Sequence, residues 1–134
     1  MTPEGLIVHA SLHGPKETMD RLARAVTGRG MAVLARIDHA AAAVAAGMAL
    51  RPTEVLIFGN PRAGTPLMQA VQTIGIDLPL KALVWQDAEG RTWLAYNDPL
   101  WLAARHATGA AGQPALAAMA TALTIVAGEA TGAA

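Results

Sequence analysis

The stretch LKALVWQDAEGRTWLAYNDP, residues 80–99, indicates how the strands of this chain pair. Two runs of strand-forming residues, Leu80 to Gln86 and Arg91 to Tyr96, flank the four residues 87–90, which end in a glycine. A short turn of this kind joins neighbouring antiparallel strands, so the stretch predicts a β-hairpin. At least one antiparallel pair therefore belongs to the sheet.

Outside the hairpin, short apolar runs predict three further strands: Gly5 to Ser11, Met31 to Ile37 and Glu54 to Phe58. Apolar residues at helical spacing, with capping residues before them, predict helices at Pro15 to Thr27, His39 to Ala46, Thr65 to about Val71, Asp98 to about His106, and from Pro114 onward. No long linker separates these elements. The order predicts one α/β domain of the α+β type over residues 1–128, followed by a frayed tail at residues 129–134. Its architecture is a two-layer sandwich, with helices packed on a mixed or mainly antiparallel sheet of about five strands.

Composition excludes several classes of function. Ten Lys and Arg residues balance ten Asp and Glu residues, so no overall charge attracts the chain to nucleic acid or to an anionic membrane. The absence of cysteine excludes thiolate catalysis and cysteine-ligated zinc or iron–sulfur sites. The four histidines lack metal-ligand spacing, so we expect no metal and no cofactor.

The N-terminal residues and the apolar segments predict where in the cell the protein is located. Residues 1–5 lack the basic region of a signal peptide. The most apolar late segment, Pro114 to Ala127, is about half of the ~20 residues that span a bilayer once its threonines and alanines are discounted. These features predict a soluble, cytoplasmic protein without a membrane or nucleic-acid partner.

Asp38 and His39 are the first candidate site. An adjacent carboxylate and imidazole suit a general base and a proton shuttle, which makes them candidate catalytic residues. A structural interpretation is also open, because aspartate is a preferred residue at the cap of a helix and His39 would then lie in the first turn.

Residues 58–66, FGNPRAGTP, are the second candidate site. A buried strand runs into a glycine-rich loop and then into a helix start, an arrangement that presents backbone N–H groups to an anion. The candidate ligand-binding residues are Gly59, Asn60, Arg62, Gly64 and Thr65. The stretch is neither a Walker loop nor a dinucleotide-binding fingerprint, and Gly, Asn and Pro also form ordinary turns. Both interpretations, binding loop and structural turn, stay open.

Two further residue types have mainly structural interpretations. His106 falls in the last turn of a helix, where a cation is favoured by the helix dipole, so we interpret it as a surface charge. Trp85, Trp93 and Trp101 are expected in the core or at an interface.

Six short motifs in order resemble the bacterial and archaeal domain of unknown function 302 family. They are Asp38-His39, LRPT at 50–53, LIFGNP at 56–61, GTPLM at 64–68, DLPLK at 77–81 and YNDP at 96–99. The similarity covers about residues 37–106. The resemblance implies a compact two-layer α/β fold that self-associates as a homodimer. It implies no reaction and no catalytic residues.

These observations leave three hypotheses about function. The leading one is a domain that binds a small molecule or anion as a homodimer, at polar loops that follow strand ends. The first alternative is an enzyme of unassigned type that uses Asp38 and His39 as an acid–base pair. The second is a structural or protein-interaction module, which a flat site and exposed tryptophans would favour.

Overall fold

The computed structural model describes residues 2–132 and contains five strands and five α-helices within them. The strands are β1 (Leu6–Ala10), β2 (Ala32–Asp38), β3 (Thr53–Gly59), β4 (Leu80–Gln86) and β5 (Thr92–Asn97). The helices are α1 (Pro15–Gly28), α2 (His39–Ala45), α3 (Pro61–Ala70), α4 (Pro99–His106) and α5 (Gln113–Thr131), with short 3-10 turns at Gln72–Asp77 and Ala110–Gly112. The predicted α/β class is confirmed.

The strands form one sheet in the order β1-β5-β4-β3-β2, and every neighbouring pair is antiparallel. The hairpin predicted from residues 80–99 forms its middle, as β4 and β5. The outermost strands, β1 and β2, consequently point in the same direction at the two edges. Their outer backbone groups have no strand partner within residues 2–132.

One face of the sheet is the core. α1 and α5 pack against each other and against this face. The stripe predicted on the last helix, Leu116, Met119, Leu123 and Val126, is buried as expected. It belongs to one buried cluster with Met19 and Leu22 of α1 and the buried side chains of β3, β4 and β5. Burial of each large apolar side chain stabilises the fold by about 1.5–3 kcal/mol, so this layer holds the helices on the sheet.

The other face of the sheet, which we call the uncovered face, is apolar but only partly buried. The strand register places one row of side chains across all five strands: Val8, Ala95, Leu83, Val55 and Ile37. Alternation along each strand turns this row away from the core side chains. Because the large helices pack on the opposite face, Ile37 remains 41% exposed.

Two predicted boundaries are wrong. The third helix begins at Pro61 rather than at Thr65, because Asn60 Oδ1 caps it by accepting the Arg62 N–H at 2.9 Å. The predicted frayed tail is ordered through residues 129–132, since Leu12 N–H donates to Thr131 O at 2.9 Å and Thr131 is buried. The remaining tail residues, 133 and 134, lie outside the described range.

Candidate functional site

The two predicted sites lie at opposite ends of the sheet. Asp38 is paired with Glu54 at the start of β3, whereas Gly59 at the end of β3 is paired with Ala32 at the start of β2. About six residues of strand, roughly 20 Å, therefore separate them. We call these two regions the Asp38 end and the Asn60 end. The two motifs are separated in this way because β2 and β3 are antiparallel, so the strands that precede them terminate at opposite ends of the sheet.

At the Asp38 end, the carboxylate caps a helix. Asp38 Oδ1 accepts the N–H of Ala41 at 2.9 Å, as the structural interpretation predicted. A shallow cavity of 290 Å³ lies beside it, with Val44, Pro52 and Glu54 in its walls. His39 is exposed and does not line this cavity. The geometry therefore does not assemble Asp38 and His39 into an acid–base pair around a substrate-sized space.

At the Asn60 end, the backbone N–H groups of the first turn of α3 already donate hydrogen bonds to Asn60. Pro61 has none, and Arg62 donates to the Asn60 side chain. Ala63 and Gly64 both donate to the Asn60 backbone oxygen, at 2.9 and 3.1 Å. With these donors occupied, the helix start offers no cradle of N–H groups to an anion. The anion half of the binding hypothesis consequently gains no geometric support here.

The Asn60 end does open a groove of 480 Å³. Its walls come from the start of β2, the first two turns of α3, the segment before β4 and one side of α5. Four of the five predicted ligand-binding residues line it: Gly59, Asn60, Gly64 and Thr65. Most of the remaining lining is apolar: Met31, Ala32, Leu34, Pro61, Ala63, Met68, Leu78, Pro79, Leu80, Ala118, Met119 and Ala122. Its size and apolar walls with a few polar groups are typical of small-molecule sites.

One charged side chain, Arg29, lines this groove. No Asp or Glu is among its lining residues within the described chain. Arg29 follows the last turn of α1 and was not singled out by the sequence, because it is far along the chain from the loop at residues 58–66. Arg62, which the sequence did single out, is exposed and is not part of the groove lining.

A cluster that the sequence did not predict joins the 3-10 turn at residues 72–77 to the end of α4. His106 Nε2 donates to Asp77 Oδ2 at 2.6 Å, and its Nδ1 lies 3.0 Å from Thr73 Oγ1. Arg105 donates to both oxygens of Asp77, at 2.9 and 3.0 Å. The His106 side chain is only 7% exposed, so its interpretation as a surface charge is wrong. The next residues along the chain, Leu78 and Pro79, line the groove, so this cluster fixes one of its walls.

Burial perturbs a histidine on the edge strand β1. The rings of His9 and Tyr96 are stacked, with centroids 5.7 Å apart, and His9 Nε2 lies 3.5 Å from the Tyr96 hydroxyl. Desolvation lowers the pKa of His9 below its ordinary value of 6.5, because burial disfavours the charged imidazolium. No wall of the groove contains His9.

Sequence comparison identifies relatives that are longer than this chain. The chain is 50% identical over 117 residues to proteins named fluoride-specific ion channel FluC 1 in Brucella suis biovar 1 and Brucella abortus biovar 1. A protein named fluoride-specific ion channel FluC 2 in Brucella melitensis matches equally well. The match covers 87% of this chain but only 46% of the Brucella suis protein and 43% of the other two. The chain thus spans less than half the length of these relatives.

These relatives correct the predicted location. Three proteins at 50% identity bear the name of an ion channel, which works in a membrane, so the prediction of a cytoplasmic protein is wrong. Charge and signal-peptide criteria describe this chain alone and carry no information about the larger proteins that share it. Residues 110–131 do have the length and apolar composition of a membrane span. Core helices meet the same criteria, and α5 buries Leu116, Leu123 and Ala130 inside the fold.

A solved structure and a family profile agree with the fold. The crystal structure of an uncharacterised conserved DUF302 protein from Bacillus stearothermophilus superposes with a TM-score of 0.85, covering 96% of this chain and 99% of that one, at 20% identity. The profile of the domain of unknown function DUF302 matches residues 7–126. This chain therefore belongs to the DUF302 family.

Proposed function

We propose that this domain binds a small, mainly apolar molecule in the groove at the Asn60 end. The observation that supports the proposal is the 480 Å³ groove, whose walls contain Gly59, Asn60, Gly64 and Thr65 and are otherwise mostly apolar. Apolar walls favour a ligand that leaves water, while Asn60 and Thr65 supply polar groups near the loop. Because the N–H groups of the first turn of α3 are occupied, a small inorganic anion fits this site less well than an apolar molecule does.

A groove-filling variant with a matched control tests this proposal. Ala118 lines the groove on α5, and its neighbour Ala117 is exposed outside it. We expect the neutral fluorescent probe N-phenyl-1-naphthylamine to bind the parent protein and Ala117→Phe alike. Ala118→Phe should weaken binding at least about tenfold, since its ring occupies the ligand space. Equal binding by the two variants would show that the probe lies elsewhere.

We propose in addition that the domain acts as a homodimer through the uncovered face. Five strands of about six residues make a face of roughly 24 Å by 20 Å, which is somewhat more than half of the ~800 Å² that one side of a stable interface buries. Among the strand residues that the structure describes, Lys81 is the one charged side chain on this face. A contiguous apolar surface of this order often marks a site of protein interaction.

Light scattering tests the dimer. The parent protein should have a mass near twice the 13.8 kDa of one chain. Leu83 lies at the centre of the uncovered face, so Leu83→Lys should shift the protein toward the monomer, because a buried unpaired charge is costly. Val44, which is 68% exposed on α2, provides the control Val44→Lys, and circular dichroism checks that both variants fold. A parent protein that scatters as a monomer would overturn this part of the proposal.

A second candidate function rests on the names of the relatives: an accessory domain of a fluoride channel, held at the membrane surface. The antiparallel sheet has two open edges, β1 and β2. Unpaired backbone groups are too costly in hydrocarbon for an open sheet to span a bilayer. The cost of these open edges favours a position of the domain outside the membrane. The remainder of such a protein would then form the pore.

Fluoride flux from proteoliposomes tests this second candidate. The full-length Brucella suis relative would be compared with a variant that lacks the region matched by this chain. We expect the truncated protein to remain selective for fluoride over chloride while its rate, or the response of its rate to apolar ligands, changes. Loss of ion selectivity would instead place the matched region in the pore.

The enzyme alternative has little geometric support. It relied on Asp38 and His39 in an enclosed site, whereas His39 is exposed and does not line the 290 Å³ cavity at that end. The Asp38 carboxylate is already used to cap α2.

A further inference from the structure

The groove combines a long apolar wall with one cation, and this combination restricts the class of ligand. Of its lining residues, the side chains with hydrogen-bonding groups are Arg29, Asn60 and Thr65. Asn60 Oδ1 is occupied by the Arg62 N–H. Arg29 is therefore the strongest polar feature available to a ligand in the groove.

Arg29 is an exposed arginine that, like Arg51 and Arg62, has no carboxylate partner among the described residues, and of these three it is the one that lines the groove. Arg36 binds Asp20 and Glu54, and Arg105 binds Asp77. Within residues 2–132, no Asp or Glu lies within ion-pair distance of Arg29. Because the groove lining also contains no carboxylate, Arg29 supplies the one formal charge among the lining residues.

We propose that the ligand is an amphipathic carboxylate, with an aliphatic chain in the groove and its carboxylate on Arg29. This inference rests on the proposed function of the groove. A guanidinium presents a planar fork of donors that matches a carboxylate. At about 30 Å³ for each water-sized group, 480 Å³ holds roughly sixteen such groups. An unbranched carboxylate of twelve carbons has fourteen non-hydrogen atoms and fits this volume.

Three probes that share a twelve-carbon chain test the charge requirement: dodecanoate, dodecanol and dodecyltrimethylammonium, each below its micelle-forming concentration. Binding is measured by displacement of N-phenyl-1-naphthylamine. We expect dodecanoate to bind about tenfold more tightly than dodecanol, because a hydrogen bond to a charged group adds that much affinity. The cation should bind most weakly.

Two arginine variants locate the carboxylate. Arg29→Gln should weaken the binding of dodecanoate about tenfold and leave the binding of dodecanol unchanged. Arg62→Gln is the matched control, since Arg62 is exposed like Arg29 but does not line the groove, and it should change neither affinity.

The outcomes separate the two proposals. Equal affinities for dodecanoate and dodecanol, or an Arg29→Gln protein that still prefers dodecanoate, would overturn the carboxylate inference and leave the groove as an apolar site. If Ala118→Phe binds all three probes as tightly as the parent protein does, the groove is not the binding site, and the proposed function is overturned. If Arg62→Gln loses the preference for dodecanoate and Arg29→Gln keeps it, the carboxylate binds Arg62 rather than Arg29. That result would also overturn the inference.

Discussion

The Asp38 end and the Asn60 end have similar local sequences and different surroundings. At each end, the residue at the end of a strand caps the following helix, because its side-chain oxygen accepts a backbone N–H at 2.9 Å. α2 at the Asp38 end has seven residues, none of them buried, whereas α3 at the Asn60 end buries Leu67 in the core. α5 passes the Asn60 end and supplies the far wall of its groove. The contrast teaches that the packing around a capped helix, more than the cap itself, determines whether a site forms there.

Core truncation should show the largest difference between the two helices. Leu67 on α3 is 1% exposed, so Leu67→Ala should lower the free energy of unfolding by about 2–5 kcal/mol through lost burial and a new cavity. Val44→Ala on α2 should change it by less than about 0.5 kcal/mol, since Val44 is 68% exposed. Urea denaturation measures both. Similar losses at the two positions would mean that α2 is packed in solution, against a partner or the uncovered face.

Removal of each cap should have a smaller and nearly equal effect on stability. Asp38→Ala and Asn60→Ala each delete one side-chain acceptor, which costs about 1 kcal/mol. Binding of N-phenyl-1-naphthylamine should separate them, because only Asn60 lines the groove. Weaker probe binding in Asp38→Ala with normal binding in Asn60→Ala would reverse the roles of the two ends.

The smallest effect concerns pH and a residue outside both ends. The lowered pKa of His9 means that the unfolded chain takes up a proton at a higher pH than the folded chain. The free energy of unfolding therefore falls as the pH drops below about 6.5. His9→Phe keeps an aromatic ring against Tyr96 and removes the titrating group, so urea midpoints between pH 7 and 5 should fall less than in the parent.

Tyr96→Phe is the control for this pH dependence, since it keeps His9 and the stacked rings. It should retain the parent's loss of stability at acid pH. An undiminished loss in His9→Phe would assign the dependence to other groups, including those at the two ends.

Local signals predicted much of the fold. The hairpin at β4 and β5, the Asp38 cap and the buried stripe on α5 each depend on residues close together in sequence. The start of α3 was misplaced because two cap-plus-proline signals, Asn60-Pro61 and Thr65-Pro66, occur five residues apart. The sequence alone does not show that the first one forms the cap.

The candidate site was only partly predictable, because it depends on contacts between distant segments. The loop at residues 58–66 was identified from its glycines and prolines, and four of its residues line the groove. Arg29 and Ala118 reach the same groove from α1 and α5, and no spacing rule connects them. The pair of Asp77 and His106, 29 residues apart, likewise appears only once the fold brings the 3-10 turn to α4.

Backbone amide NMR with N-phenyl-1-naphthylamine can show where on the domain a small molecule binds. Aromatic rings displace the resonances of nearby amides, so a bound probe reports its own position. We expect the largest shifts at Gly59, Gly64 and Met119, which line the groove. Amides of α2 at the Asp38 end should be unaffected. Largest shifts in α2, or along the uncovered face at Val55 and Leu83, would contradict the assignment of the binding site to the Asn60 end.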